Sequence, residues 1–245
     1  MPGFFAQADY AVRCEWGAGG LAACTPGSAA IVIVDVLSFT TAVDVAVGRG
    51  ARVFPFARRD EAAEAFAQAH GALLASRDRA TGFSLSPASL QTLPAGAALV
   101  LPSPNGATLS TLAGAGPLYA GCLRNAAAVV QAAAAHGGPV AVIPAGERWP
   151  DGSLRPALED WLGAGALIHG LPGARSPEAA LAESAYLQAR ERLLEVLLAC
   201  GSGRELVARA CAEDVALAAA LDVSPVAPRL VAGAYQAGDG IKPEL

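Results

Sequence analysis

The chain is short of charge, of lysine, of histidine and of paired cysteine, and each shortage removes a class of chemistry. Charged residues make up only 16% of its 245 residues, against 53% hydrophobic ones, a balance that favours a packed core over disorder. The only lysine is Lys242, in the tail, which leaves none in the core for a Schiff base or a phosphate-binding P-loop. Any anion must then be held by arginines, backbone N–H groups or a metal ion. His70, His136 and His169 lie far apart, and Cys14, Cys24, Cys122, Cys200 and Cys211 form no Cys-x-x-Cys pair. That scatter argues against a structural zinc site and a disulfide framework, and for small core thiols in a reducing compartment.

Long apolar runs are lacking too: none reaches the ~18 residues that span a bilayer. The first twenty residues carry Asp9, Arg13 and Glu15 instead of a basic start followed by an apolar stretch, so a cytoplasmic protein without a membrane partner is expected. Net charge is −5, without a basic block or arginines interleaved with aromatics, which argues against nucleic acid as a partner. No linker is long or polar enough to divide residues 1–245, so one compact unit is expected. Its apolar helices are candidate surfaces for a homodimer.

What is there is an alternation of strand and helix signals. Ile31 to Val34 is a continuous β-branched run, as in a strand buried on both faces. Thr40 or Thr41 can cap a helix that Gly48 and Gly50 end, and Ala51 to Phe56 supplies a second strand. This βαβ grammar predicts a parallel pair. A similar unit recurs in residues 97–120: a strand to Leu101, the turn Ser103-Pro104-Asn105-Gly106, a short helix, the turn Gly114-Ala115-Gly116 and a strand from Leu118. Superposing residues 31–56 on residues 97–120 matches Thr40-Thr41 with Gly106-Ala107 and both glycine pairs, which generic βαβ grammar or a duplication explains equally well. Further on, the pattern predicts a helix over 126–135, a strand over 139–143 and a helix with Pro156 in its first turn. Long helices over 177–199 and 204–221 follow. The predicted fold class is α/β, a three-layer α/β/α arrangement with a largely buried sheet and two similar halves.

Four places carry candidate chemistry. Asp35 follows four buried apolar residues at a strand's C-terminal end, where α/β sheets place ligands; a helix-capping aspartate explains the same letter. Ser103, Asn105 and Gly106 offer hydrogen bonds and a close backbone approach at a helix N-terminus, although Pro-Asn-Gly is also ordinary turn chemistry. Arg124 can fork onto a phosphate or carboxylate beside Asn125, and a surface arginine with an N-cap is the plain alternative. Glu159 and Asp160 lie in an apolar helix start, with Glu147 and Arg148 just after the preceding strand. Acids in a first turn also answer the helix dipole. Carboxylates from these separate elements could hold a hard cation such as Mg²⁺.

These residues resemble the 2-phosphosulfolactate phosphatase family, whose founding activity belongs to coenzyme M synthesis. The resemblance runs from about Val32 to Leu230. It rests on Val34-Asp35-Val36-Leu37 with Thr40-Thr41, Ser86-Pro87, Asn105-Gly106 and Arg124-Asn125-Ala126, and continues through Ala145-Gly146, Glu159-Asp160 with Gly163-Ala164-Gly165-Ala166, and Glu213-Asp214-Val215. It implies a Mg²⁺-dependent acid phosphatase with an α/β/α arrangement of two similar halves. Two stretches depart from the family: Ser38-Phe39 where members carry Arg-Ala, and Ala75-Ser76-Arg77-Asp78-Arg79 where they often carry Gly-Glu-Arg-Gly-Gly. The expected activity is hydrolysis of a small, acidic phosphomonoester like 2-phosphosulfolactate. Asp35 with Glu159 or Asp160, and Glu147 as a further carboxylate, would bind Mg²⁺. Ser103, Asn105, the Gly106 N–H and Asn125 would hold phosphoryl oxygens, and Arg124 and Arg148 the substrate's acid group or transition-state charge. Leu37 stands where haloacid-dehalogenase-type phosphatases have a second aspartate, which favours metal-activated water over Asp35 as nucleophile. The alternatives are a non-catalytic binding protein for a phosphorylated or sulfonated metabolite, and an isomerase or lyase of hydroxy acids.

Overall fold

The computed structural model describes residues 3–114 and 116–238; Lys242 and Ala115 lie outside the described residues. The strands are β1 (Val12–Cys14), β2 (Ala30–Val34), β3 (Arg52–Phe56), β4 (Leu73–Leu74), β5 (Ala98–Pro102), β6 (Leu118–Gly121), β7 (Val140–Pro144), β8 (Glu147–Arg148), β9 (Leu154–Arg155), β10 (Pro228–Val231) and β11 (Ala234–Ala237). Nine of them form one sheet in the order β1-β7-β2-β6-β10-β11-β3-β5-β4, and β8 pairs only with β9. The helices are α1 (Gly17–Cys24), α2 (Phe39–Gly48), α3 (Glu61–Ala69), α4 (Pro87–Leu90), α5 (Gly106–Leu112), α6 (Ala126–Ala134), α7 (Leu158–Gly170), α8 (Pro177–Ala189), α9 (Leu193–Ala199), α10 (Gly201–Ala208) and α11 (Ala212–Ala219).

Alternation along β2 explains the layers. Ile31 and Ile33 join a core with residues of α1, α2, α4 and α5, whereas Val32 and Val34 join a second core with residues of α6 to α11. A strand buried on both faces has no polar side to show, so its sequence reads as one apolar run. The fold is the expected three-layer α/β/α class.

The topology corrects one expectation. β2 does not pair with β3; it pairs in parallel with β6 and β7, while β3 pairs in parallel with β5. Each βαβ segment therefore gives one strand to each of two parallel blocks, β1-β7-β2-β6 and β3-β5-β4. Between the blocks lies the antiparallel hairpin β10–β11, which pairs with β6 on one side and β3 on the other. Local pattern reveals a strand but not its neighbour, and consecutive strands are adjacent only about two-thirds of the time. α5 packs against both β3 and β2, which brings the turn after β5 to the end of β2.

Helix boundaries differ in four places. Ser38 rather than a threonine occupies the N-cap of α2; the Thr40 and Thr41 hydroxyls donate instead to the carbonyls of Asp35 and Val36. Pro156 lies before α7, whose N-cap is Ala157 in extended conformation. The helix expected over 177–199 is broken by a 3₁₀ turn at Arg190–Arg192, which turns α9 onto α11. The helix expected over 204–221 divides into α10 and α11 at Ala210, whose φ is +59°. No glycine or proline marks either break, so periodicity alone ran through them.

Candidate active site at the ends of β2 and β5

Asp35 is 4% exposed. Its Oδ1 accepts the Phe39 N–H at 3.1 Å, and its Oδ2 accepts the Gly106 N–H at 2.7 Å and the Ser103 hydroxyl at 3.5 Å. The carboxylate thus caps α2 and ties the turn after β5 to the end of β2. Gly106 is required there, because a Cβ would sit 2.5 Å from Phe39 Cδ1 and 2.8 Å from Asp35 Oδ2. Asp160 does the same work one layer away: Oδ1 accepts the Val36 N–H at 2.7 Å and Oδ2 the Gly146 N–H at 2.8 Å. Two turns that follow parallel strands are pinned by two carboxylates.

Glu159 and Glu147 complete an acidic group. Glu159 is 1% exposed, and its one donor among the described residues is the Cys200 thiol, 3.3 Å from Oε2. Glu147 Oε2 accepts Asn105 Nδ2–H at 2.9 Å. Burial, opposed by the amide hydrogen bonds, raises the pKa of Asp35, and the Glu159 charge adds to the rise. Burial and the Asp35 and Glu159 charges hold Asp160 well above the usual carboxylate range. Burial, then the Asp35 charge, pushes Glu147 up to about 7. Burial, then the Glu159 charge, pushes the Cys200 thiol up to about 12, so Cys200 remains a neutral donor.

No arginine or histidine forms an ion pair with any of these four carboxylates among the described residues. Buried carboxylates normally have a cationic partner, and an oxygen-only donor set suits a hard cation. No three acid, thiol or imidazole groups converge as a ready cage among the described residues. Mg²⁺ fits such a set, since it is held by one or two carboxylates, waters and substrate oxygens.

A cavity of about 180 Å³ opens at Asp35, bounded by Ser38, Ser103, Asn105, Glu147, Arg79 and Arg209. Arg79 is a fixed guanidinium: Nη1 donates to Asp214 Oδ2 at 2.9 Å and to the Leu85 carbonyl at 3.3 Å, and Nη2 to Ser38 Oγ at 3.0 Å. Asp214 is in turn held by the Ser86 hydroxyl at 2.5 Å and the Ala88 N–H at 3.1 Å. Of the five guanidinium protons, those on Nε and one on Nη2 remain for a ligand.

The structure brings Asp35, Ser103, Asn105 and Glu147 to this cavity and leaves other candidates elsewhere. The Gly106 N–H and both Asp160 oxygens are spent on internal hydrogen bonds. Arg124 Nε pairs with Asp44 at 2.9 Å and its Nη1 donates to the Leu217 carbonyl; it borders a different cavity with Val45 and Val226. Asn125 Oδ1 accepts the Cys122 N–H, and its amide donates to the Ala120 carbonyl. Arg148 lines a cavity of about 280 Å³ on the other side of the Asn105–Glu147 pair. Sequence reasoning missed Arg79, Arg209 and Ser38 as cavity residues. Asp214 was visible only as part of a family-like motif, and nothing local to Arg79 announces that it crosses to Ser38.

The model of the 2-phosphosulpholactate phosphatase family matches residues 22–233, nearly the whole chain. The chain belongs to that family. No curated protein matches it. As a phosphatase family it carries phosphoric monoester hydrolysis, and the matched span holds every residue of the cavity at Asp35. At Ser38, where the family resemblance leads one to expect arginine, the Arg79 guanidinium arrives from another part of the chain. Among the described residues, no helix is long and apolar enough to cross a membrane.

Proposed function

We propose that the chain is a Mg²⁺-dependent phosphomonoesterase acting on a small, acidic phosphorylated metabolite of the 2-phosphosulfolactate kind. The observation that carries this reading is the pairing of two walls in one small cavity, the Asp35 and Glu147 carboxylates and the Arg79 guanidinium. Asp35 would hold the cation at the cavity wall; Glu159 adds its charge from behind without lining the cavity, and Asp160, with both oxygens on backbone amides, shapes the turns. When bound, Mg²⁺ supplies charge neutralisation for the phosphoryl oxygens.

The chain's own residues supply the remainder. Arg79 meets anionic oxygens with its free N–H groups, already oriented by Asp214 and Ser38, so little ordering is needed on binding. Water is the nucleophile, because Leu37 stands where a nucleophilic aspartate would have a second aspartate two residues on. Glu147, with a pKa raised to about 7, takes the proton from that water at the oxygen not held by Asn105. The water oxygen bonds to phosphorus as the ester P–O bond breaks; the leaving alkoxide takes up a proton from solvent, and Glu147 returns its own to solvent.

A screen of phosphomonoesters for phosphate release, run with Mg²⁺ and with excess chelator, tests the reading. Release with Mg²⁺ and none with chelator is expected. Full turnover in chelator removes the cation from the mechanism. Binding of inorganic phosphate without turnover of any ester makes the chain a binding protein.

A further inference from the structure

Glu147 is carried by the hairpin β8–β9, two strands of two residues each that pair only with each other. So small a ladder does not hold a hairpin in place by itself. Asn105 ties Glu147 to the turn before α5. The opposite wall of the cavity at Asp35 is made by Ser202, Glu205 and Leu206 of α10, and a separate tie must set its distance from the hairpin.

Arg155 supplies that tie. It stands opposite Glu147 in the β8–β9 register, so the two side chains leave the hairpin on the same face. Arg155 nevertheless forms no ion pair among the described residues. Its guanidinium crosses to α10, where Nη2 donates to Ser202 Oγ at 3.0 Å. Nη1 lies against Gly201, where a Cβ would sit 3.4 Å from it. On the hairpin side the guanidinium lies over the Trp149 ring, 5.8 Å from its centroid. Next to Ser202, the Cys200 sulfur accepts the Gly203 N–H and the thiol donates to Glu159. The start of α10 is thus clasped by Glu159 on one side and Arg155 on the other. Burial lifts the Glu147 pKa and the Arg155 charge opposes that lift, so the guanidinium is within electrostatic reach of the carboxylate. Arg155 itself does not line the cavity.

Resting on the reading of Glu147 as the base, we infer that Arg155 is a positioning residue for phosphoryl transfer, the strut that sets the gap between the Glu147 hairpin and the α10 wall. It touches neither ester nor cation. Without it the base loses its line on the attacking water. Arg79 and Ser103 keep their places, because Asp214, Ser38 and Asp35 hold them. Loss of the strut therefore lowers the rate and spares affinity.

The test is a double-mutant cycle on kcat, per folded molecule, with phosphoglycolate as the ester and Mg²⁺ present. Arg155→Ala should lower kcat by about tenfold with KM within about twofold of wild type. Ser202→Ala should lower kcat less, and the double variant should lose no more than Arg155→Ala alone, since both changes remove one contact. Arg155→Gln takes the place of Arg155→Ala if the latter does not fold. In parallel, amide hydrogen exchange in residues 147–155 and 201–206 should quicken together in the Arg155 variant, while residues 30–34 stay protected. An unchanged kcat, a loss confined to KM, losses that multiply in the double variant, or unchanged exchange in either segment overturns the inference. If wild type leaves phosphoglycolate intact, exchange alone decides. Joint quickening then supports the strut and leaves only the phosphatase reading failed, and unchanged exchange in either segment overturns the strut as well.

Discussion

At the residue scale, the same carboxylate can be a cap, a tie between loops and a chemical group, and Asp35 is all three. Its two oxygens accept amide protons from Phe39 and Gly106, and Asp160 accepts from Val36 and Gly146. An asparagine at either position must turn an NH₂ toward one of those N–H groups, setting donor against donor. Asp35→Asn and Asp160→Asn should therefore each lose about 1–3 kcal/mol of stability, the cost of an unsatisfied buried group. The two differ in activity: Asp35→Asn also alters the cavity wall and should lower turnover by ~10²-fold or more, while Asp160→Asn should retain much of it per folded molecule. Thermal midpoints and phosphatase rates on the same preparations check both. An Asp35→Asn variant of unchanged midpoint would show that the amide contacts carry no weight. The sequence made Asp35 conspicuous because a charge after four apolar residues needs a reason. It could not say which amide would answer it, since Gly106 arrives from another strand.

At the element scale, a helix opened by a proline was easy to place and helix breaks inside a continuous pattern were not. Pro177 marked the start of α8, where Ser176 bonds the Ala179 amide; α3, capped by Asp60 on the Ala63 amide, was not read from the sequence. The break between α10 and α11 depends on Ala210 at φ +59°, a conformation in which an L residue with a Cβ is strained and glycine is not. It is this turn that directs Asp214, near the start of α11, toward Arg79 and Ser86. Ala210→Gly should raise the unfolding free energy by about 1 kcal/mol and leave turnover unchanged, as chemical denaturation and a rate assay would show. A loss of stability would mean that freedom gained by the unfolded chain outweighs the relieved strain.

At the scale of the whole molecule, pH acts through carboxylates whose pKa values burial raises. Asp35, Asp44, Glu147 and Asp160 all move upward, so the folded chain binds more protons than the unfolded one between their ordinary values and their raised ones. Stability from this source is full below about pH 4 and declines as pH rises; for Glu147 the loss runs from about 4.5 to about 7. In chelator, the thermal midpoint should fall across that window, Glu147→Gln should flatten part of the slope, and Mg²⁺ should restore stability at neutral pH. A midpoint that climbs with pH in chelator would contradict the burial of these acids.

The layers and the strands β2, β3, β5, β6 and β7 were legible because period and punctuation are local; β1, β4 and β8 to β11 were not read from the sequence. The pairing of β2 with β6 and of β3 with β5 was not, because no residue in β2 names its partner. That interleaving has a consequence for how the chain is made. Residues 228–237 emerge after every other strand, yet they occupy the middle of the sheet, between β6 and β3. Until they arrive, both blocks present bare strand edges to the cell, the kind of surface that seeds aggregation. The keystone of the described strands is thus the last of them to be made, and a ribosome that stalls before that hairpin releases two half-sheets joined only by helices such as α2 and α5 that pack across both.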